Sequence, residues 1–290
     1  LDTYQADTEV IKLIPIETAQ MMVSHHAANN LQHLFQLLQD PALDDRYSVA
    51  WIDCLASGEQ LGRGIAMFGH HASSAEFSAT NPLSTKARRT KSLPFDFPSW
   101  ALNPLTISAF NKLYYYKESR KKSPFLTDYD SYFYPLDAIG QWNRMYGKRG
   151  FVQYQCVIPE ATALAGMTAL LQELSSSRRS SFLAVLKRFG AAGKGLLSFP
   201  TPGYTLALDL PLRDKGLFSL LDKLDHIVLQ HGGRVYLAKD ARTSAESFKT
   251  TYPRYAEWIK VKQAIDPGNR FSSSLARSLN IGGETKCTPV

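Results

Sequence analysis

The second half of the chain alternates between two hydrophobic periods. Residues 151–158 place apolar side chains at every second position, which is the period of a strand, whereas residues 160–174 follow the period of a helix. The same two periods return further along. We therefore predict, in order, a strand at 151–158, a helix from Pro159 to Leu174, strands at 181–189 and 204–210, a helix at 217–228 and a strand at 235–238.

This order of elements predicts the fold class. Strand–helix–strand–strand–helix–strand is the ferredoxin-like βαββαβ arrangement. It gives an α+β fold in which an antiparallel sheet carries its helices on one face. Gly232 and Gly233, which follow the second helix, fit this interpretation because glycine commonly ends helices.

The remaining segments have weaker patterns. Residues 1–20 are interpreted as a strand, a helix is predicted around 31–38, and two strands are predicted at 47–55 and 63–68. Residues 70–130 are rich in Ser, Thr, Pro, Lys and Arg, so we interpret them as long flexible loops with short helices. Near the end, Thr243 and Glu246 have the spacing of a capping box for a short helix, and 273–279 is a last short helix.

Composition restricts the classes of partner. The formal net charge of +7 at pH 7 fits nucleic acid, an anionic membrane, a phosphorylated substrate or a solvated basic surface, and these alternatives stay open. No apolar run approaches the roughly 18 residues of a membrane span. The three cysteines lie at unrelated spacings, which argues against a disulfide framework and favours a reducing, cytoplasmic location.

Cofactor and metal motifs are missing from the chain. No GxGxxG follows a strand, and no GxxxxGK[ST], HExxH, paired CxxC or GxSxG occurs. We therefore expect no metal and no phosphate cradle within these residues. None of the seven histidines sits in a recognisable nucleophile arrangement.

One segment is compatible with a different class of function. Residues 148–154 resemble part of the RNP1 motif of RNA-recognition modules, which share the ferredoxin-like order. However, the central Gly/Ala-Phe step is absent, and Gln153 and Gln155 occupy the strand face where stacked aromatic rings are needed. A free-standing RNA-binding domain stays an alternative, although we expect no nucleic-acid partner.

Polar side chains interrupt several of the predicted strands. Gln153 and Gln155 share one strand face, Lys187 lies on the next strand, and Tyr236 and Lys239 end the last one. Polar groups that emerge from several strands of one sheet suit a polar ligand such as a sugar. The same pattern fits the solvated face of a sheet, so both interpretations remain open at this point.

Several separated motifs occur in the order found in one family of flavoenzymes. They are residues 134–137 (YPLD), 142–144 (WNR), 182–190 (FLAVLKRFG), 197–203 (LSFPTPG), 232–242 (GGRVYLAKDAR), Tyr252-Pro253, Glu257-Trp258, Asp266-Pro267 and Arg270-Phe271. In them the chain resembles the decaprenylphosphoryl-β-D-ribose 2′-oxidase family of the vanillyl-alcohol-oxidase (VAO) superfamily. The resemblance covers nearly the whole chain, is dense from about Tyr132 onward and is weak across 70–130.

The resemblance implies a division into domains. Family members have an N-terminal FAD-binding domain, a substrate (cap) domain and a C-terminal segment that returns to the flavin. We expect residues 1–20 to be the strand leaving a FAD-binding domain that precedes Leu1, 21–238 to be the substrate domain, and 239–290 to be the C-terminal segment. The full-length protein is then expected to bind FAD, whereas this truncated chain alone should hold FAD poorly and be inactive.

The resemblance also implies a reaction. Family enzymes oxidise the C2 hydroxyl of a lipid-linked ribofuranosyl phosphate to a ketone, and hydride passes to the flavin. By position, Lys239 and Tyr236 are the expected catalytic, flavin-facing residues: Lys239 orients or deprotonates the hydroxyl, and Tyr236 hydrogen-bonds in the site. The expected substrate-binding residues are Gln155, Lys187, Thr205, Phe133 and Tyr134.

Two positions depart from the family. Ala207 stands where mycobacterial members carry a cysteine that nitroaromatic inhibitors modify, so we expect insensitivity to that chemistry. Thr205 replaces a pocket asparagine, which leaves the substrate open, and a related alditol or sugar-lactone oxidase is the alternative. The expected partners are a sugar or lipid-linked sugar phosphate and a reductase that completes an epimerisation for the cell wall. Contact of the basic loop at 86–122 with the inner membrane is a further alternative.

Overall fold

The described part of the chain folds into ten strands and eight α-helices. This computed structural model describes residues 14–282, except 44, 86–89, 99, 180, 182, 215, 240 and 241. The strands are β1 (Gln20–Ala28), β2 (Tyr47–Ile52), β3 (Gly64–His71), β4 (Lys91–Ser92), β5 (Phe125–Asp128), β6 (Ile139–Gly140), β7 (Phe151–Pro159), β8 (Ala184–Phe189), β9 (Gly203–Pro211) and β10 (Arg234–Val235). The α-helices are α1 (Leu31–Gln39), α2 (Pro104–Ser119), α3 (Tyr129–Phe133), α4 (Glu160–Ser177), α5 (Gly216–Gln230), α6 (Ala245–Thr251), α7 (Tyr255–Ile265) and α8 (Ser274–Ser278).

The main sheet has eight strands in the order β10-β7-β9-β8-β2-β3-β1-β5, and its neighbours pair antiparallel. A separate pair, β4 and β6, is parallel. The first four positions are the strands of the predicted unit, connected through α4 and α5 as a ferredoxin-like unit requires. The predicted α+β fold class is therefore confirmed, and the unit is extended by four further strands.

Alternation along the strands decides which side chains enter the core. Cys156 and Ile158 of β7 and Leu206 of β9 are fully buried on the face that the helices cover. Because successive strand residues point to opposite faces, Gln155 and Thr205 face the other way. The helices supply the rest of this core with Leu34 and Phe35 of α1, Met167, Leu170 and Leu174 of α4, and Leu221 and Leu224 of α5.

β1 is an element that the sequence does not predict. Ser24, His25 and His26 interrupt its hydrophobic alternation, yet it pairs with β3 on one side and with β5 on the other. Residues 14–19 do not form the strand predicted over 1–20, and residues 1–13 lie outside the described part of the chain. Pairing with two neighbours, rather than its own pattern, therefore makes this segment a strand.

The region 70–130 contains the 16-residue helix α2, so the prediction of loops with only short helices is wrong there. The buried residues of α2 are Ile107, Asn111 and Glu118, and two of these three are polar. The hydrophobic period that normally marks a helix is therefore lost. Residues 86–89 of the predicted basic loop lie outside the described residues. No helix among the described residues is long and apolar enough to cross a bilayer.

Buried polar contacts hold α2 on the sheet. Asn111 is fully buried, and its Nδ2 donates to Oδ1 of Asp53 at 2.7 Å. Asp53 also accepts from Arg63, with Nη2 and Oδ2 2.8 Å apart. Near the C-terminal end of the helix, Glu118 Oε2 lies 3.1 Å from Nδ1 of His25 on β1. These contacts fix the middle and the C-terminal end of the inward face.

We expect Asn111→Ala to lower the free energy of unfolding by about 1–3 kcal/mol, since it removes a buried hydrogen bond to a carboxylate. Urea denaturation measures this change. Asn143→Ala is the matched control, because Asn143 is exposed and its loss should be worth less than about 0.5 kcal/mol. Equal losses in the two variants would contradict this account of how α2 is held.

The C-terminal segment differs from its sequence prediction in two details. β10 ends at Val235, and residues 237–239 form one 3-10 turn instead of continuing the strand. The capping box predicted from Thr243 and Glu246 is wrong, because Ser244 caps α6 by accepting a hydrogen bond from the N–H of Ser247 at 3.0 Å. The segment packs through a small second core of Phe248, Tyr252 and Leu279.

Candidate active site

The sheet face turned away from α4 and α5 collects polar side chains from neighbouring strands. Strand pairing places Lys187 of β8 opposite Thr205 of β9, and Ala207 of β9 opposite Gln155 of β7. Directly paired residues point to the same face. The N–H of Tyr236 donates to the carbonyl of Gln155 at 2.8 Å, which continues this row beyond β7. We call Gln155, Lys187, Thr205, Tyr236 and Lys239 the polar cluster.

Two glutamine side chains form hydrogen bonds across the centre of this face. Nε2 of Gln155 donates to Oγ1 of Thr205 at 3.0 Å, and Nε2 of Gln153 donates to Oδ1 of Asp209 at 3.0 Å. Thr205 and Asp209 are only 1% and 6% exposed. Buried and mutually hydrogen-bonded polar groups keep a defined geometry. The face is therefore organised like a binding site, which favours the ligand interpretation over an ordinary solvated sheet face.

A tight turn carries Tyr236 and Lys239. The N–H of Lys239 donates to the carbonyl of Tyr236 at 3.0 Å, which closes the 3-10 turn that follows β10. The Tyr236 ring stacks on Phe199, with centroids 4.5 Å apart and planes 27° from parallel. Phe199 in turn packs edge-on against Phe189 at the end of β8. Aromatic packing thus fixes the start of the turn from which Lys239 extends.

The charge of Lys239 acts on two charged members of this face. Desolvation, and after it the charge of Lys239, lowers the pKa of Lys187, although part of the Lys187 side chain stays exposed. Burial raises the pKa of Asp209, while the hydrogen bond from Gln153 and the charge of Lys239 act in the opposite direction. The cluster therefore combines two ammonium groups with a neighbouring buried carboxylate, a combination suited to binding an anionic sugar and to moving a proton.

Two of the predicted substrate-binding residues, Phe133 and Tyr134, have contacts with aromatic side chains instead of with the polar cluster in the described structure. Phe133 packs edge-on against Tyr47 with centroids 4.9 Å apart, and it also neighbours His71. Tyr134 follows it and packs against Phe133 itself. These aromatic residues lie beside the ends of β2 and β3. Strand pairing brings the other five predicted residues together, whereas Phe133 and Tyr134 pack around Tyr47 near the start of β2, and their role in substrate binding remains a prediction.

The structure adds residues that the sequence prediction does not name. Asp209 belongs to the site face because it pairs with Gln153, and the alternation Thr205–Ala207–Asp209 along β9 is the signal that identifies it. Trp51 also belongs to this face, since it pairs with Val185, which in turn pairs with Ala207. Nothing in the local sequence around Trp51 reveals that connection, because β2 and β8 lie far apart along the chain.

The RNP1-like segment 148–154 spans the turn before β7 and half of that strand, and its outward side chain Gln153 is bonded to Asp209. The stacked aromatic platform of an RNA-recognition sheet is missing at Gln153 and Gln155. Within the described ranges, no group of three His, Cys, Asp or Glu side chains is arranged to hold a metal ion.

The polar cluster contains the kinds of side chain that hydrogen-bond the polar edge of a flavin ring. Tyr236 and Lys239 offer a phenol and an ammonium group that suit the polar edge of an isoalloxazine ring, and Gln155 and Thr205 lie beside them for a substrate. The sequence contains no glycine-rich phosphate cradle. By their chemistry these residues would contact the ring and a sugar, whereas the FAD phosphates would need residues other than these.

The chain is similar to known oxidases. It is 35% identical over 277 residues to the decaprenylphosphoryl-β-D-ribose oxidase of Mycolicibacterium smegmatis, a match that covers 93% of this chain and 59% of that protein. It is 30% identical over 289 residues to a Streptomyces coelicolor protein described as an uncharacterized protein in the mprA 5′ region, covering 94% of this chain and 76% of that protein. This chain belongs to the family of these relatives. The family and the homologues in it are FAD-dependent oxidases that act on CH–OH groups, so the resemblance seen in the sequence is confirmed.

Two further comparisons concern one stretch of the sequence and the fold. The family model described as D-arabinono-1,4-lactone oxidase matches residues 215–279, a stretch that includes Tyr236 and Lys239. The fold is shared with the xylooligosaccharide oxidase of Myceliophthora thermophila C1 in complex with xylobiose, at a TM-score of 0.53 and 12% identity over 92% of this chain and 56% of that one. The chain thus spans less than two thirds of the length of the mycobacterial relative and of this oxidase.

Proposed function

We propose that this chain is the substrate-binding portion of a FAD-dependent oxidoreductase that oxidises a secondary hydroxyl of a sugar to a ketone. The observation that carries the proposal is the convergence of Gln155, Lys187, Thr205, Tyr236 and Lys239 on one ordered sheet face, in a chain of this oxidase family. Residues 21–238 then form the substrate domain and 239–290 the C-terminal segment.

The substrate class follows from the charge of the polar cluster. Lys187 and Lys239 lie close enough for the charge of one to lower the pKa of the other, and two ammonium groups on one face favour a phosphorylated sugar over a neutral one. The relative from M. smegmatis is named for a decaprenylphosphoryl ribose. A lipid-linked pentofuranosyl phosphate is therefore the substrate that we propose.

Each member of the polar cluster has a part in this reaction. FAD, when bound, supplies the acceptor for the hydride that leaves the carbinol carbon. Lys239 hydrogen-bonds and positions the hydroxyl, and its neutral amine form, with a free lone pair at Nζ, takes the hydroxyl proton as the C–O bond becomes a carbonyl. Tyr236 hydrogen-bonds the same oxygen. Gln155 and Thr205 bind the remaining ring hydroxyls, and Lys187 binds the phosphate.

A sugar-lactone oxidase is the second candidate, and the match of residues 215–279 to the D-arabinono-1,4-lactone oxidase model favours it. The matched stretch contains Tyr236 and Lys239 but not Lys187 or Gln155. A lactone carries no phosphate for Lys187 to bind. The two candidates therefore differ in whether Lys187 contributes to substrate binding.

The test is an anaerobic titration of the full-length, FAD-loaded protein, followed by loss of flavin absorbance. We expect a polyprenylphosphoryl ribofuranose to bleach the flavin and to yield a product lighter by two hydrogen atoms. Bleaching by D-arabinono-1,4-lactone and not by the phosphorylated sugar would select the second candidate. If neither compound nor any alditol reduced the flavin, the proposal would be wrong. For the proposed substrate, a reductase acting on the ketone would complete the epimerisation that serves cell-wall synthesis.

Ala207→Cys is expected to make the loaded enzyme sensitive to nitroaromatic inhibitors, because residue 207 lies beside Gln155 on the site face. Peptide mass mapping should find the adduct at position 207. Wild-type protein should carry none at Cys54 or Cys156, since both are buried and burial raises the pKa of the Cys156 thiol to about 12. Equal labelling of wild type and variant would contradict the prediction.

A further inference from the structure

The outer side of α2 exposes a stripe of large apolar side chains. Leu105 is 82% exposed, Leu113 68% and Tyr116 53%. These residues are spaced eight and three positions apart, so they share one side of the helix together with Ala109. Trp100, just before the helix, is 72% exposed. We call Trp100, Leu105, Ala109, Leu113 and Tyr116 the apolar stripe.

Cations flank the C-terminal half of the apolar stripe, where Lys117 and Lys121 also approach Glu118, and exposed carboxylates are missing from the same segment. Residues 100–122 contain one acidic residue, Glu118, and it is buried against His25. The Arg120 guanidinium lies 3.6 Å from the centroid of the Tyr116 ring and so borders the stripe directly. The cations of this segment are Lys112, Lys117, Arg120, Lys121 and Lys122.

The apolar stripe is not what holds α2 in place. The helix is anchored by its other side, through buried Ile107, the bond from Asn111 to Asp53, and the packing of Tyr114 on Trp51 with ring centroids 4.8 Å apart. The stripe therefore contributes exposed apolar surface that the described contacts of this fold do not use. Surface of this kind commonly marks an interaction site.

We propose that the outer side of α2 docks on an anionic lipid bilayer. The apolar stripe enters the boundary between headgroups and acyl chains, and the surrounding lysine and arginine side chains contact the lipid phosphates. Trp100 and Tyr116 suit this depth because their rings are amphipathic. A protein partner would have to supply a matching excess of carboxylates, whereas a bilayer of anionic lipids supplies negative charge without any specific pairing.

The inner side of α2 packs on the sheet face that carries the polar cluster. Tyr114 on the inner side of α2 contacts Trp51, and Trp51 lies in the same cross-strand row as Val185 and Ala207. A bilayer bound to the outer side is therefore one helix away from the row that leads to Gln155. The docking itself rests on exposure and charge alone and stands whether or not the proposed reaction is correct.

The experiment is co-sedimentation of the full-length protein with large unilamellar vesicles. We expect binding to vesicles of equal parts phosphatidylcholine and phosphatidylglycerol, weaker binding to phosphatidylcholine alone, and loss of binding as salt screens the charges. Leu113→Glu should weaken binding to the anionic vesicles about tenfold or more, because it removes one inserted side chain and adds a charge. Leu164→Glu on α4 is the matched control, since Leu164 is also exposed but lies on the helical side of the ferredoxin-like unit.

A second variant keeps the test decisive if Leu113→Glu fails to fold. Lys112→Glu with Lys117→Glu leaves the apolar stripe intact and should abolish the preference for anionic vesicles. Absence of vesicle binding by wild type, or equal binding by wild type, Leu113→Glu and the double lysine variant, would overturn the proposal. Evidence that protein covers the apolar stripe would also overturn it. One such result is a dimer, detected by light scattering, that Leu113→Glu dissociates. The other is a lower melting temperature of Leu113→Glu together with no vesicle binding by wild type.

Discussion

Lys239→Met is expected to slow sugar-dependent flavin reduction by about 10²–10⁴-fold, the usual contribution of a positioned acid–base group. Methionine keeps much of the lysine volume but cannot take the proton of the hydroxyl. Stopped-flow measurement of the anaerobic reduction of the full-length enzyme separates this step from reoxidation. The flavin spectrum before substrate addition shows whether the variant still holds FAD, which distinguishes a lost proton acceptor from a lost cofactor.

Two matched lysine variants sharpen this test. Lys187→Met, on the same face, should raise the substrate concentration needed for half-maximal reduction and change the limiting rate much less, because Lys187 binds rather than reacts. Since the pKa of Lys187 is lowered, wild-type affinity for a phosphorylated sugar should fall as pH rises through that lowered value, and Lys187→Met should lose this dependence. Lys194→Met, on the exposed connection before β9, should change neither. A Lys239→Met enzyme that reduced its flavin at the wild-type rate would disprove the assignment.

Arg242→Ala is expected to lower the free energy of unfolding by about 3–5 kcal/mol, the usual cost of leaving one member of a buried ion pair behind. Nη2 of Arg242 lies 3.0 Å from Oδ2 of Asp225 on α5, and the Asp225 side chain is 9% exposed. Burial is the main cause of the raised pKa values of Tyr154 and Cys156 in the core beneath the sheet. The negative charge of Asp225 raises both pKa values further. Arg242 thus ties the segment that follows Lys239 to the helical layer.

Urea denaturation of the full-length protein measures this loss. Arg254→Ala is the control, because its partner Glu257 is exposed and such surface pairs contribute little. The double variant Asp225→Asn with Arg242→Met should be more stable than Arg242→Ala, since it leaves no unpaired charge in the interior. If Arg242→Ala and Arg254→Ala were equally stable, the ion pair would not anchor the C-terminal segment.

The sequence prediction succeeded where local pattern carries the information. The helix that became α4 and the strands that became β7 and β9 have a clear period, and each residue of such an element can be assigned from its near neighbours. The prediction failed at β1 and at α2. β1 is polar in its middle and is a strand because β3 and β5 bond it, and α2 buries Asn111 against Asp53, 58 positions away.

The candidate site, like the fold, was predicted only in part from the sequence. Tyr236 and Lys239 were identified through a motif, and Gln153 and Gln155 through their spacing on one strand, but neither signal shows which polar residues meet. Asp209 joined the site through its bond to Gln153, and Phe133 and Tyr134 were placed beside Tyr47. Those outcomes depend on the register of strands that are distant in the chain.

By itself, the sequence determined the βαββαβ unit and the family, because hydrophobic period and motif order are properties of consecutive residues. Only the tertiary structure decided that Lys187, Thr205 and Gln155 share one ordered face, and that α2 turns its apolar stripe outward. Both results come from pairing and packing between segments far apart in the chain, where the energy of a contact depends on a partner that no local pattern contains.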